Sequence, residues 1–175
     1  MNPSQRKSLR LKNYDYTQNG FYFITICIQN KQCLLGEIID QNMVLNDAGR
    51  MIYIVWQEIP NYYEGFKIHE FIVMPNHIHG IIEISSYGLT QGSVGGDRTP
   101  PLQGLSLSDL MQRFKTFTTN KYINGVKHHH WKRFHKQLWQ RSYYEHIIRN
   151  EKTLEEIQTY IINNPMNWDK DSLFM

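Results

Sequence analysis

Two histidines, His77 and His79, stand one residue apart in VMPNHIHGIIEI. On an extended strand the side chains alternate, so both imidazoles point to one face. Ile78, Gly80, Ile82 and Ile84 then point to the other face and supply the core. Two imidazoles on an open face can bind one metal ion without disturbing that packing, although His-x-His pairs also occur as plain surface or hydrogen-bonded histidines. Toward the end of the chain, Tyr160 and Asn164 lie four apart in a stretch of helical periodicity, hence one above the other. Leu154, Ile157 and Ile161 form the apolar stripe of that helix, and Tyr160 and Asn164 sit at its edge. From there a phenol and an amide can reach over a sheet to a metal. A core tyrosine and a helix C-cap before Pro165 are the structural alternatives. A phenol, with a pKa of about 10, needs help to attack phosphorus at neutral pH. A metal ion polarising a phosphate oxygen supplies that help.

The elements that must position these residues follow from periodicity. Phe21 to Ile28 (FYFITICI) reads as a buried strand, with a short second strand around Leu34 to Ile39. Asn46 caps a helix that runs to about Ile59, where Pro60 stops it. Ile68 to Met74 and Ile78 to Ile84 read as two strands joined by a tight turn at Pro75-Asn76. A second helix starts at Ser106 or Ser108 and runs to about Tyr122. The last starts at Thr153, where Thr153 and Glu156 make a capping box, and ends before Pro165. Glu156 is also placed to act as a base or outer acceptor one turn before Tyr160. Residues 85–105, rich in Gly, Ser, Thr and Pro, read as a flexible loop, and residues 1–18 as a basic N-terminal arm. This order of elements predicts a small α+β sandwich with a largely antiparallel sheet, in a single domain spanning 1–175.

Composition narrows the function. The chain has 175 residues, is 41% hydrophobic and carries a formal net charge of +3. No apolar run approaches the roughly 20 residues that cross a bilayer, so no membrane partner is expected and a cytoplasmic location is the default. Cys27 and Cys33 are the only cysteines, which excludes a disulfide framework and a thiolate zinc cluster. Positive side chains are concentrated between Met111 and Asn150: Arg113, Lys115, Lys132, Arg133 and Arg141 stand among them, against Glu145 alone. Trp131, Trp139 and Tyr143 are threaded through the same stretch. Cations for phosphates and aromatics for bases make the composition of a single-strand nucleic-acid surface, or of a solvated basic face over core aromatics.

Taken together, these residues resemble a family, the HUH single-strand tyrosine transposases, and especially their REP-associated branch. The resemblance runs from SLRLKNYDYTQNGFYFITICI through VMPNHIHGII and SLSDLMQRFKTFTTNKY to LWQRSYYEHIIRN and YIINNPMNW. It implies a ferredoxin-like fold with helices packed on a central antiparallel sheet. It also implies that His77, His79 and Asn164 are metal ligands and that Tyr160 is the nucleophile, with Tyr143 and Tyr144 as rivals by residue type. Mg²⁺ or Mn²⁺ suits two imidazoles and an amide oxygen with open positions, although two imidazoles alone would favour later transition metals. The implied activity is cleavage and rejoining of single-stranded or hairpin DNA through a 5′-phosphotyrosine, by a homodimer or a monomer. A related DNA-nicking protein, an inactive DNA-binding domain of the same fold and a phosphodiesterase using water are the competing readings.

Overall fold

The computed structural model describes residues 18–85, 105–171 and 173. The readings of a basic arm over 1–18 and a loop over 85–105 fall almost wholly outside them. The strands are β1 (Gly20–Cys27), β2 (Gly36–Ile39), β3 (Asn42–Leu45), β4 (Phe66–Val73), β5 (His77–Ile84) and β6 (Tyr144–Ile148). The helices are α1 (Asp47–Gln57), α2 (Ile59–Tyr62), α3 (Leu107–His128) and α4 (Glu151–Asn163), followed by a 3-10 segment, Pro165–Lys170. Four strands form one sheet in the order β4-β5-β1-β6, every neighbouring pair antiparallel. With α1 and α3 this is the ferredoxin-like β-α-β-β-α-β unit, β1-α1-β4-β5-α3-β6. The β2–β3 hairpin is inserted before α1, and α4 is appended after β6. No described helix is long and apolar enough to cross a membrane.

Alternation along β1 and β5 gives the sheet two buried faces. Tyr22, Ile24 and Ile26 of β1 pair with Ile82, Gly80 and Ile78 of β5. That face is covered by Ile52, Val55 and Trp56 of α1 and by Leu110, Met111 and Phe114 of α3. On the other face Ile81, Ile148 and Ile161 form a smaller core, joined by Phe21, Phe23, Ile72, Leu154 and Ile157. The apolar stripe of α4 is what closes it.

Gly80 is central to the first face because the Trp56 indole lies against its Cα, where any side chain would collide. Phe71 stacks on that indole at 4.5 Å and 7° and would itself lie 3.0 Å from an added Cβ, so the indole has little room to yield. Gly80→Ala should therefore cost about 1–3 kcal/mol as overpacking. Thermal unfolding checks this, with Tm falling about 2–4 °C per kcal/mol; an unchanged Tm would mean that the ring yields freely.

Several boundaries differ from the sequence expectation, each for a local reason. Asn46 does cap α1, its side chain accepting from the Gly49 amide at 2.9 Å. Pro60, however, sits in the first turn of a second short helix, where its missing N–H is no loss, rather than simply ending the first. Ser106 caps α3 in a box with Asp109, and the helix continues past Tyr122 to His128. The last helix starts two residues before Thr153. Asn150 is its cap, accepting from the Thr153 amide at 2.9 Å, and Glu156 is an exposed interior residue rather than half of a capping box. β3 and β6 were not expected.

Candidate active site

His77 and His79 project from β5 toward α4, and the expected open face is closed: they are 0% and 2% exposed. The helix stripe that completes the second core also roofs the two imidazoles. The Nε2 atoms face each other at 3.0 Å. Asn76 explains the orientation of the first ring. Its Nδ2 donates to the carbonyls of Leu173 at 2.7 Å and Lys31 at 3.3 Å, so its Oδ1 accepts from His77 Nδ1 at 2.7 Å. His77 Nδ1 therefore carries the proton, and neutral His77 turns a lone pair inward at Nε2. His79 Nδ1 is held by the Thr25 hydroxyl at 2.8 Å, and the Phe23 ring stacks on His79 at 5.3 Å.

Burial keeps both imidazoles neutral. It pushes the His77 pKa down to about 4, against the opposing pull of the Asp171 carboxylate and the Asn164 amide. His79 is driven well below the ordinary histidine value by burial and then by its neighbour His77. Neutral, desolvated imidazoles with converging Nε2 atoms are the protonation state that ligates a cation.

Tyr160 and Asn164 descend from the edge of α4 onto the same spot. Tyr160 is 44% exposed, its hydroxyl 3.3 Å from His79 Nε2, and its ring meets those of His79 and Phe23 edge-on. Burial and the Asp171 charge raise its pKa, while the Asn164 amide lowers it. Asn164 is both the C-cap of α4 and a buried side chain, 1% exposed. Its Oδ1 has no hydrogen-bond partner among the described residues. A buried oxygen without a protein partner costs free energy unless a bound ligand satisfies it.

Asp171, which sequence reasoning missed, comes from just beyond the 3-10 segment. Its Oδ2 lies 3.6 Å from His77 Nε2 and likewise lacks a hydrogen-bond partner among the described residues. One ligand atom each from His77, His79 and Asp171 lie within 4.8 Å of one another. Trp168 of the same segment stacks on His77 at 6.0 Å. Two imidazole nitrogens, a carboxylate oxygen and an amide oxygen, two of them orphaned, fit a divalent cation.

The rival tyrosines separate cleanly. Tyr143 is buried in the core on the α1 and α3 face, whereas Tyr144 is exposed on β6. Of the aromatics considered for stacking on bases, Trp139 is also core, its Nε1 donating to Thr118 at 2.9 Å, and Trp131 lies against Gly125 of α3. The expected DNA-binding cations are dispersed. Arg113 and Lys115 stand on α3, behind the sheet from the histidines. Lys115 is engaged, donating to the carbonyls of Gln140 at 2.6 Å and Arg141 at 3.0 Å. Arg113 lies 6.0 Å from the Tyr63 ring, over its face. Lys132, Arg133 and Arg141 are exposed between α3 and β6. Arg141 comes nearest the site in chain terms, because the adjacent Gln140 amide donates to the Cys27 carbonyl, and Cys27 pairs with His77.

Residues 101–164 match the family described as IS200-like transposases, a span that contains Tyr160 and Asn164. An uncharacterised Haemophilus influenzae protein is 44% identical over 97% of this chain and 93% of its own length. A second protein of that organism, provisionally named a REP-associated tyrosine transposase, is 24% identical over 89% of this chain and 77% of its own. In fold the chain is similar to a REP-associated tyrosine transposase solved bound to a REP hairpin. The TM-score is 0.60 at 21% identity, covering 90% of this chain and 73% of that one.

Proposed function

We propose that this chain is an HUH single-strand tyrosine transposase of the IS200-like family and its REP-associated branch, and that it cuts and rejoins single-stranded or hairpin DNA through a 5′-phosphotyrosine at Tyr160. The observation that carries this reading is the convergence of the Tyr160 hydroxyl, two inward Nε2 atoms and the orphaned Asn164 Oδ1 on one point. On this reading the described sheet and its helices act as one transposase domain. His77, His79 and Asn164 hold Mg²⁺ or Mn²⁺, with Asp171 as a further oxygen donor. The bound ion supplies charge stabilisation at a non-bridging oxygen of the scissile phosphate.

The chain's own part can be followed atom by atom. Tyr160 Oη bonds to phosphorus as the bond to the 3′ oxygen breaks. The phenol proton leaves to water, which the half-exposed ring admits, and the departing strand takes up a proton as a 3′-OH. The Asn164 amide favours the phenolate and the Asp171 carboxylate opposes it, so compensation of that carboxylate would bring Tyr160 toward reactivity. Phe23 fixes the ring edge-on, limiting the search for an in-line approach. A second 3′-OH reverses the step, and the diester bond energy retained in the tyrosine linkage makes joining possible without another energy source.

The test is a denaturing gel of the protein with end-labelled hairpin DNA carrying single-stranded flanks, in Mn²⁺, followed by addition of an unlabelled strand with a free 3′-OH. A labelled protein adduct that is chased into a longer strand is the expected result. Cleaved strands that never pass through an adduct would instead favour water as nucleophile. Asn76 offers a quieter check. Asn76→Ala removes the acceptor that fixes the His77 tautomer, and should weaken Mn²⁺ affinity about 10- to 100-fold by calorimetry. Unchanged affinity would mean that packing alone orients the ring.

A further inference from the structure

The roof over the histidine face is incomplete. α4 leaves the end of β6 at Ile148 and crosses the sheet, with Gln158 bonding Glu70 of β4 at 2.9 Å and Tyr160 over His79. Among the described residues nothing covers the start of β6. Tyr144 there is 50% exposed, and His146 is exposed as well. In register Tyr144 pairs with Thr25, and Thr25 pairs with His79. His146 pairs with Phe23, which pairs with Ile81. Residues opposite one another in antiparallel strands share a face. Tyr144 and His146 are therefore on the catalytic face, in the same cross-strand rows as His79 and the Phe23 ring beside it.

We infer that this strip seats a base of the DNA strand next to the scissile phosphate, with the Tyr144 ring as its stacking surface. The inference rests on the transposase reading above. Two strand spacings place Tyr144 about 10 Å from His79, the length of about three stacked nucleotides and fewer of an extended strand. A strand whose phosphate lies under Tyr160 must pass over a neighbouring part of this sheet, and α4 blocks the β4 side. Toward β6 it meets an exposed aromatic ring, an exposed imidazole and the cation of Arg141 three residues upstream, and no exposed carboxylate on this face of β6. Every base offers a π-face, so such a seat positions the strand with little demand on sequence. Tyr144 is a positioning residue here and takes no part in bond formation.

The test uses the full chain and a fluorescein-labelled hairpin with oligothymidine flanks, read by anisotropy in Mn²⁺, and the same DNA with 5-iodouracil in the flanks for photocrosslinking. Tyr144→Ala is expected to weaken binding about 5- to 150-fold without lowering Tm, and Tyr144→Phe to restore it, since stacking needs the ring and not the hydroxyl. The crosslink is expected on the tryptic peptide Ser142–Arg149, in which Tyr143 is buried. Tyr144→Ala binding like wild type, Tyr144→Phe as weak as Ala, or a crosslink on another peptide would each overturn the seat. If an adduct still forms at Tyr160 in those cases, the transposase reading stands and only the seat falls. Failure of the wild type to bind the hairpin, or an adduct on Tyr144 itself, would overturn both.

Discussion

Tyr160→Phe should abolish the covalent DNA adduct, a loss on the order of 10⁴-fold or more in strand cleavage, because the attacking oxygen itself is removed. Little else should change. Tyr160 is 44% exposed, its hydroxyl contact to His79 is a long 3.3 Å, and His79 Nε2 keeps its 3.0 Å contact with His77 Nε2, so Tm should stay within a degree or so. The ring contacts with Phe23 and His79 survive in phenylalanine. Hairpin affinity, measured by anisotropy, should therefore persist while the adduct vanishes on a denaturing gel. Cleavage at the wild-type rate would assign the nucleophile to water.

The second large effect is expected at the histidines. His77→Ala or His79→Ala removes one inward nitrogen of the proposed four-donor set and should lower Mn²⁺ affinity more than about 100-fold, beyond the loss expected for an outer-shell partner such as Asn76. Chelation of the wild type with EDTA should stop adduct formation, and Mn²⁺ should restore it. Both rings are almost fully buried, so truncation also leaves a cavity that lowers stability as well as affinity. Calorimetric titration together with circular dichroism separates the two. A folded variant that binds Mn²⁺ as tightly as wild type would remove that histidine from the ligand set.

The histidine pair was legible because a strand's alternation is local: Ile78, Ile82 and Ile84 declare the core face, and His77 and His79 follow by parity. The same holds for the helical face shared by Tyr160 and Asn164. Depth was not legible. The open face expected for the histidines is covered because α4 folds back over β5, a tertiary event that no local pattern announces. β6 escaped notice because Glu145 and His146 interrupt its apolar residues, as an edge strand with one exposed end allows. The helix end expected near Tyr122 is overrun, because Gly125 does not stop α3. It continues the helix and leaves room for the Trp131 indole. Asp171 lies 94 positions from His77, and only its approach to Nε2 marks it. The role of Asn76 was equally hidden, since its two donated bonds are to distant carbonyls, and only these fix which way its amide faces.

The most direct measurement is the site of attachment. Trypsin should release Thr153–Lys170 with Tyr160 as its one tyrosine, so mass spectrometry of nuclease-trimmed adduct can locate the linkage without ambiguity. A nucleotide joined through its 5′-phosphate to that peptide is the predicted result. A nucleotide on Ser142–Arg149, or a 3′-phosphate linkage at Tyr160, would contradict the account.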